Sequence, residues 1–161
     1  AAVLDNPFFE ASSIELERSG PSYTIDTLKQ FQTEYGGKAE LNLIIGGDNL
    51  NQLTDWHEIG EILKLARILV VPRLRYIHIE DDHLKMIGEQ PEKIKSIYPY
   101  ARIEFVDFPG IAISGSKIRE RIKEKKTILY MVTNSVNELI IKNGYFSEIK
   151  KPVKQEEIAK D

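Results

Sequence analysis

The chain has no cysteine. Disulfides and cysteine-ligated zinc are therefore excluded. It has no surplus of basic charge either: 22 Lys and Arg against 25 Asp and Glu leave a net charge of −3 at pH 7. No broad positive field is available for nucleic acid, so any phosphate site must be local. No apolar run approaches the length of a membrane span, no stretch reads as a signal peptide, and no internal repeat is visible. The expected location is the cytoplasm, with neither membrane nor nucleic acid as partner. Histidine is scarce, limited to His57, His78 and His83.

What is present suits a soluble globular protein. The 161 residues, 42% apolar and 29% charged, make one domain's worth of chain with room for a core. Ser13 to Arg18 alternates apolar and charged residues, which predicts a short strand. Ser22 or Thr24 can cap a following helix. In that helix Ile25, Leu28, Phe31 and Tyr35 recur at helical spacing, and Gly36-Gly37 ends it. Leu41 to Ile45 predicts a buried parallel strand, Glu58 to Leu65 a helix, and Ile68 to Val71 a second buried strand stopped by Pro72. Strand, helix and strand in this rhythm predict a parallel sheet with crossover helices.

Between residues 73 and 100, Leu84, Met86, Ile87, Ile94 and Ile97 predict one or two short helices punctuated by Pro91 and Pro99. A strand over Arg102 to Val106 then returns to the sheet. A helix opens near Ser116 and runs to about Lys125. Val136, Leu139, Ile140 and Ile141 mark a last helix closed by Gly144. Residues 1–147 are the expected domain, and residues 148–161, charged and poor in apolar side chains, a frayed tail. Ala1 to Leu4 reads as the end of a helix.

Three segments carry chemistry. In Ile113-Ser114-Gly115-Ser116-Lys117-Ile118-Arg119 a small, hydroxyl-bearing turn opens a helix. Backbone N–H groups, the helix dipole and Arg119 about one turn in would form a phosphate cradle; the plainer reading is a Ser114 cap beside a solvated arginine. Leu43-Ile44-Ile45 breaks into Gly46-Gly47-Asp48, where glycine lets backbone approach a ligand and Asp48 can accept hydrogen bonds from a ribose, or be an isolated turn aspartate. Trp56, the only tryptophan, sits among polar neighbours between two helices, where it packs in the core or stacks on a flat ring. Thr24, at a helix start, can serve as a cap and also offer N–H and hydroxyl groups to a carboxylate. Arg73 either reaches a phosphate or is solvated. His78 and His83 lie in a charged loop that reads as solvated rather than metal-binding.

The segments Gly20-Pro21-Ser22-Tyr23-Thr24-Ile25-Asp26-Thr27-Leu28, Ile45-Gly46-Gly47-Asp48, Trp56, Val70-Val71-Pro72-Arg73 and Ile113 to Arg119 stand in a telling order. So do Tyr130-Met131-Val132 and Asn143-Gly144-Tyr145. Together they resemble the bacterial nicotinate mononucleotide adenylyltransferases. The resemblance implies an α/β, Rossmann-like nucleotidyltransferase fold: a parallel sheet, flanking helices and a small C-terminal helical extension. It implies adenylyl transfer from ATP to nicotinate mononucleotide, with Mg²⁺ carried by ATP, and is compatible with a homo-oligomer. Ser116 and Arg119 would act on the ATP phosphates, beside Ile113 and Ser114. Gly46, Gly47 and Asp48 would bind ATP, with Asp48 on a ribose. Trp56, Thr24, the backbone at His57, and Arg73 would bind the other substrate.

This sequence departs from the family pattern in places. His57 stands where an aromatic is usual, Gly47 where alanine is, and Gly115 where serine is. The family's opening strand and G-x-F-x-P-x-H-x-x-H phosphate loop have no match here. The chain thus reads as the C-terminal two thirds of such an enzyme, and little activity is expected from it alone. The alternatives are a sister nucleotidyltransferase with an acceptor such as phosphopantetheine, and a non-catalytic nucleotide-binding module.

Overall fold

A computed structural model describes residues 1–4, 6–71, 82–107 and 113–147, with backbone alone for 82–89. Arg73, His78, the side chain of His83 and the expected tail over 148–161 lie outside the described residues. The chain divides into two compact units, residues 12–112 and residues 1–11 with 113–161.

The unit of residues 12–112 is an α/β arrangement built on a parallel sheet in the order β1-β2-β3. The strands are β1 (Leu41–Gly46), β2 (Ala66–Val71) and β3 (Ile103–Phe105). The register pairs Ile45 with Val70 and Ile68 with Ile103. The Val106 N–H, 2.9 Å from the Val70 carbonyl, continues the ladder past β3. Helices α1 (Thr24–Glu34), α2 (Gly47–Leu50), α3 (Ile59–Leu65) and α4 (Asp82–Ile97) connect and flank the strands. Their apolar stripes bury Ile25, Leu28, Leu50, Ile62, Leu63 and Ile94 against Ile45, Ile68 and Val70. Gly36 and Gly37 follow α1 in left-handed conformation, with φ of 62° and 68°, which glycine adopts without steric cost.

Four expectations are corrected in this unit. Ser13 to Arg18 is a turn and not a strand. Leu16 and Glu17 donate backbone N–H groups to the Ser13 carbonyl, and Leu16 is 87% exposed, so alternation here has no sheet face to bury. Neither Ser22 nor Thr24 caps α1. The N-cap is Tyr23, with no side-chain cap, and the Ser22 hydroxyl instead accepts from the Arg18 guanidinium at 2.8 Å. Strand β1 is covered on one face only: Leu41, Leu43 and Ile45 turn toward the core, whereas Ile44 is 67% exposed. Pro91 does not punctuate; it lies inside the 16-residue α4. A proline there forfeits one helical hydrogen bond, and burial of its ring compensates.

In the other unit, Ala1 to Leu4 is a single turn, closed by the Leu4 N–H on the Ala1 carbonyl, rather than a helix end. Two helices follow, α5 (Gly115–Lys123) and α6 (Asn134–Asn143). Helix α6 ends, as its sequence predicts, at Gly144 in the left-handed region with φ 64°. Ile128 and Ile140 are buried here. The Ser135 hydroxyl ties the start of α6 to the Ala1 carbonyl at 3.0 Å.

Candidate functional site

In the unit of residues 12–112, two chain turns meet around a small cleft. The first is the start of α1, where Tyr23 is extended (φ −101°, ψ 146°) and Thr24 is the first helical residue. A residue at that position has an N–H without an intrahelical partner, and it lies at the positive end of the helix dipole. The second follows a 3-10 turn, Leu53–Asp55, anchored by fully buried Leu53. Trp56 comes next in extended conformation, then His57, then Glu58, which heads α3 in the left-handed region with φ 51°. Ser22, Tyr23, Thr24, Trp56, His57 and Ile62 enclose a cleft of about 240 Å³. That is room for one flat ring with its substituents.

The resemblance implies that Thr24, Trp56 and His57 act together, and the fold brings them to one cleft. Trp56 fits both of its readings: it packs against the core cluster and also lines the cleft. The residue missed is Tyr23. Its ring lies 4.2 Å from that of His57, tilted by 33°. An aromatic just before a helix start was the available signal. Behind His57, the Lys29 ammonium donates to Glu58 at 2.8 Å, and His57 Nε2 is 3.5 Å from the other Glu58 oxygen. The hydrogen bond from Lys29 holds the Glu58 carboxyl below the usual range, and the same bond raises the Lys29 ammonium.

At the end of β1, Gly46 heads the short α2 and Gly47 is buried. A methyl group on Gly46 would run into the Asp48 carboxylate, so glycine lets that carboxylate lie against the end of the strand. Gly46, Gly47 and Asp48 are not among the residues lining the cleft.

The third segment belongs to the other unit. Ser114 caps α5, its hydroxyl accepting the Lys117 N–H at 3.2 Å, so the capping role is real. Ile113, half-buried, precedes the cap. The Arg119 guanidinium folds back one turn and donates to the Ser116 hydroxyl at 3.2 Å. A Cβ on Gly115 would stand 3.1 Å from Arg119 Nη1. Glycine therefore gives the guanidinium room to cover the first turn, where serine would crowd it. Ser116 and Arg119 line an open cleft with Glu120, Lys123 and Phe146. A cation, a hydroxyl and a helix N-terminus side by side suit anionic oxygens. Ser114→Ala should lower stability by about 1 kcal/mol through loss of the cap, measured as a drop in denaturation midpoint.

Among the described residues no group of three or more His, Asp and Glu gathers as metal ligands.

No family model matches the chain. Curated relatives do. The probable nicotinate-nucleotide adenylyltransferase of Caldicellulosiruptor bescii is 38% identical over 145 residues, covering 90% of this chain and 68% of that protein. The protein of the same name from Thermoanaerobacter sp. is 37% identical over 147 residues, covering 91% and 66%. The chain thus spans about two thirds of the length of these relatives. Among solved structures, a Plasmodium falciparum nicotinic acid mononucleotide adenylyltransferase complexed with NaAD aligns with TM-score 0.52 at 18% identity, covering 80% of this chain and 58% of that one. At that identity the likeness concerns the fold, which is Rossmann-like.

Proposed function

This chain belongs to the nicotinate-nucleotide adenylyltransferase family, and from that premise we propose how its residues serve adenylyl transfer from ATP to nicotinate mononucleotide, a step of NAD biosynthesis. A phosphate oxygen of the mononucleotide attacks the α-phosphorus of ATP. The bond from that phosphorus to the bridging oxygen breaks, and pyrophosphate leaves with the electron pair. The nucleophile comes with the substrate, so the protein's share is positioning and charge neutralisation.

Trp56 stacks on the nicotinate ring. The Thr24 N–H and hydroxyl, with the His57 backbone N–H, receive its carboxylate. Asp48 accepts from a ribose hydroxyl, next to the glycines at Gly46 and Gly47. Ser116, Arg119 and the N-terminus of α5 from Ile113 and Ser114 hold ATP phosphates, and Arg73 belongs with the residues that bind the mononucleotide. A divalent ion accompanies ATP. Mg²⁺, entering with ATP, would neutralise charge on its phosphates. Among the described residues no helix is long and apolar enough to cross a membrane. Cytoplasmic location and small-molecule partners without nucleic acid belong to the same proposal.

The observation that carries this reading is the one-ring cleft in which Trp56 and His57 meet the start of α1 at Thr24. Calorimetry with nicotinate mononucleotide, phosphopantetheine and ATP, alongside a pyrophosphate-release assay, tests it. Binding of nicotinate mononucleotide and ATP without phosphopantetheine is expected. Preference for phosphopantetheine, or heat from ATP alone, would overturn it in favour of a sister enzyme or a nucleotide-binding module.

A further inference from the structure

The turn that carries Trp56 and His57 is fastened to α1 at two points. Lys29, within α1, pairs with Glu58 at 2.8 Å. Tyr23, at the N-cap of α1, stacks on His57 with ring centroids 4.2 Å apart. Glu58, the partner in the first tie and next in the chain to His57, has φ 51°, a conformation that costs energy for a residue with a side chain and persists when its surroundings hold it. We propose that Tyr23 is the positioning residue of the ring site: by stacking on His57 it fixes the backbone of residues 56–58 against Thr24 and so sets the preference for a carboxylate-bearing ring over its carboxamide. The inference rests on the reading of this cleft as the nicotinate site.

Three observations support it. Tyr23 is 43% exposed and is not part of the core cluster, so the core does not account for its placement. Its backbone is the cap of α1, so its ring and the Thr24 N–H are neighbours along the chain and move together. Both rings line the cleft, with Trp56 in the same wall set. A carboxylate needs two donors held at a fixed separation, one from each turn; a carboxamide, neutral and itself a donor, gains less from that fixed geometry. Losing the stack should therefore affect the acid more than the amide.

Trp56 is the sole tryptophan and lines this cleft, so its fluorescence is the probe. Titration of the chain with nicotinate mononucleotide and with nicotinamide mononucleotide gives two dissociation constants from one signal. Tyr23→Phe should retain the wild-type values. Tyr23→Leu should weaken the acid by roughly three- to tenfold, the worth of one aromatic pair, and narrow the acid-to-amide ratio. The melting temperature should stay put. His57→Ala should reproduce the loss, and the double variant should add nothing to it, because either change removes the same stack. Wild-type affinity and ratio in Tyr23→Leu would overturn the positioning role. A wild-type fluorescence indifferent to nicotinate mononucleotide would instead overturn the assignment of the cleft itself.

Discussion

Made in the full-length enzyme, Trp56→Ala should raise the KM for nicotinate mononucleotide roughly thirtyfold while leaving that for ATP near its original value. Two contributions make up the estimate. Aromatic stacking contributes about 0.5–1.5 kcal/mol beyond area burial. Covering about 50 Å² of ring face at ~25 cal/mol/Å² adds about 1 kcal/mol. Their sum, about 2 kcal/mol, corresponds to roughly thirtyfold in affinity. Trp56 also packs against the core, so alanine will lower the melting temperature as well. Trp56→Phe separates the two effects: it keeps an aromatic face in the cleft and most of the packing, so the KM change should shrink with little loss of stability. Steady-state kinetics with each substrate varied in turn decides the matter. Equal losses for both substrates would assign Trp56 to the core alone.

What the sequence made legible follows from where local and tertiary signals agree. Leu41 to Ile45 and Ile68 to Val71 are apolar runs with stops at Gly46 and Pro72, and both form parallel strands in register. Helix α6 ends at Gly144 because only the left-handed region lets the last carbonyls find partners, and glycine enters it freely. The failures are tertiary in origin. Alternation over Ser13 to Arg18 satisfies the period of a strand, yet no neighbouring strand meets it and Leu16 faces solvent. Exposure of Ile44 depends on what covers the second face of β1, which no local pattern encodes. Pro91 breaks an isolated helix, but the buried ring in α4 outweighs one lost hydrogen bond.

The site divides the same way. Glycine, tryptophan and the Ser-Gly-Ser turn announce themselves by residue type. The stack of Tyr23 on His57 joins positions 34 residues apart, and it becomes visible only when α1 and the 56–58 turn are placed together. The role of Gly115 was likewise hidden. In sequence it is only a departure from serine; in the fold a Cβ there would stand 3.1 Å from Arg119 Nη1.

In the same full-length enzyme, Arg119→Ala should lower kcat/KM for ATP by roughly ten- to a hundredfold without unfolding the protein. The guanidinium lies over the first turn of α5, hydrogen-bonded to the Ser116 hydroxyl at 3.2 Å. In the proposed phosphate site both groups would address one anion, beside the positive end of the helix. Charge on the phosphates grows at the leaving oxygens as pyrophosphate departs, so a fixed cation there stabilises the transition state more than the ground state. Hydrogen bonds to charged groups are worth about 1.5–3 kcal/mol, and each ~1.4 kcal/mol is tenfold in rate, which sets the range. Folding should be indifferent: no residue of α5 is buried, and alanine is a better helix former than most residues it could replace. An unchanged melting temperature is therefore the control. Arg119→Lys should recover only part of the rate, because an ammonium restores the charge without the planar pair of donors. Gly115→Ala should act in the same direction but more weakly, since its methyl group presses on Arg119 Nη1 from 3.1 Å and displaces the guanidinium without removing it. Wild-type kinetics in Arg119→Ala would reduce the turn at Ser114 to Ser116 to a helix cap and move the phosphate site elsewhere.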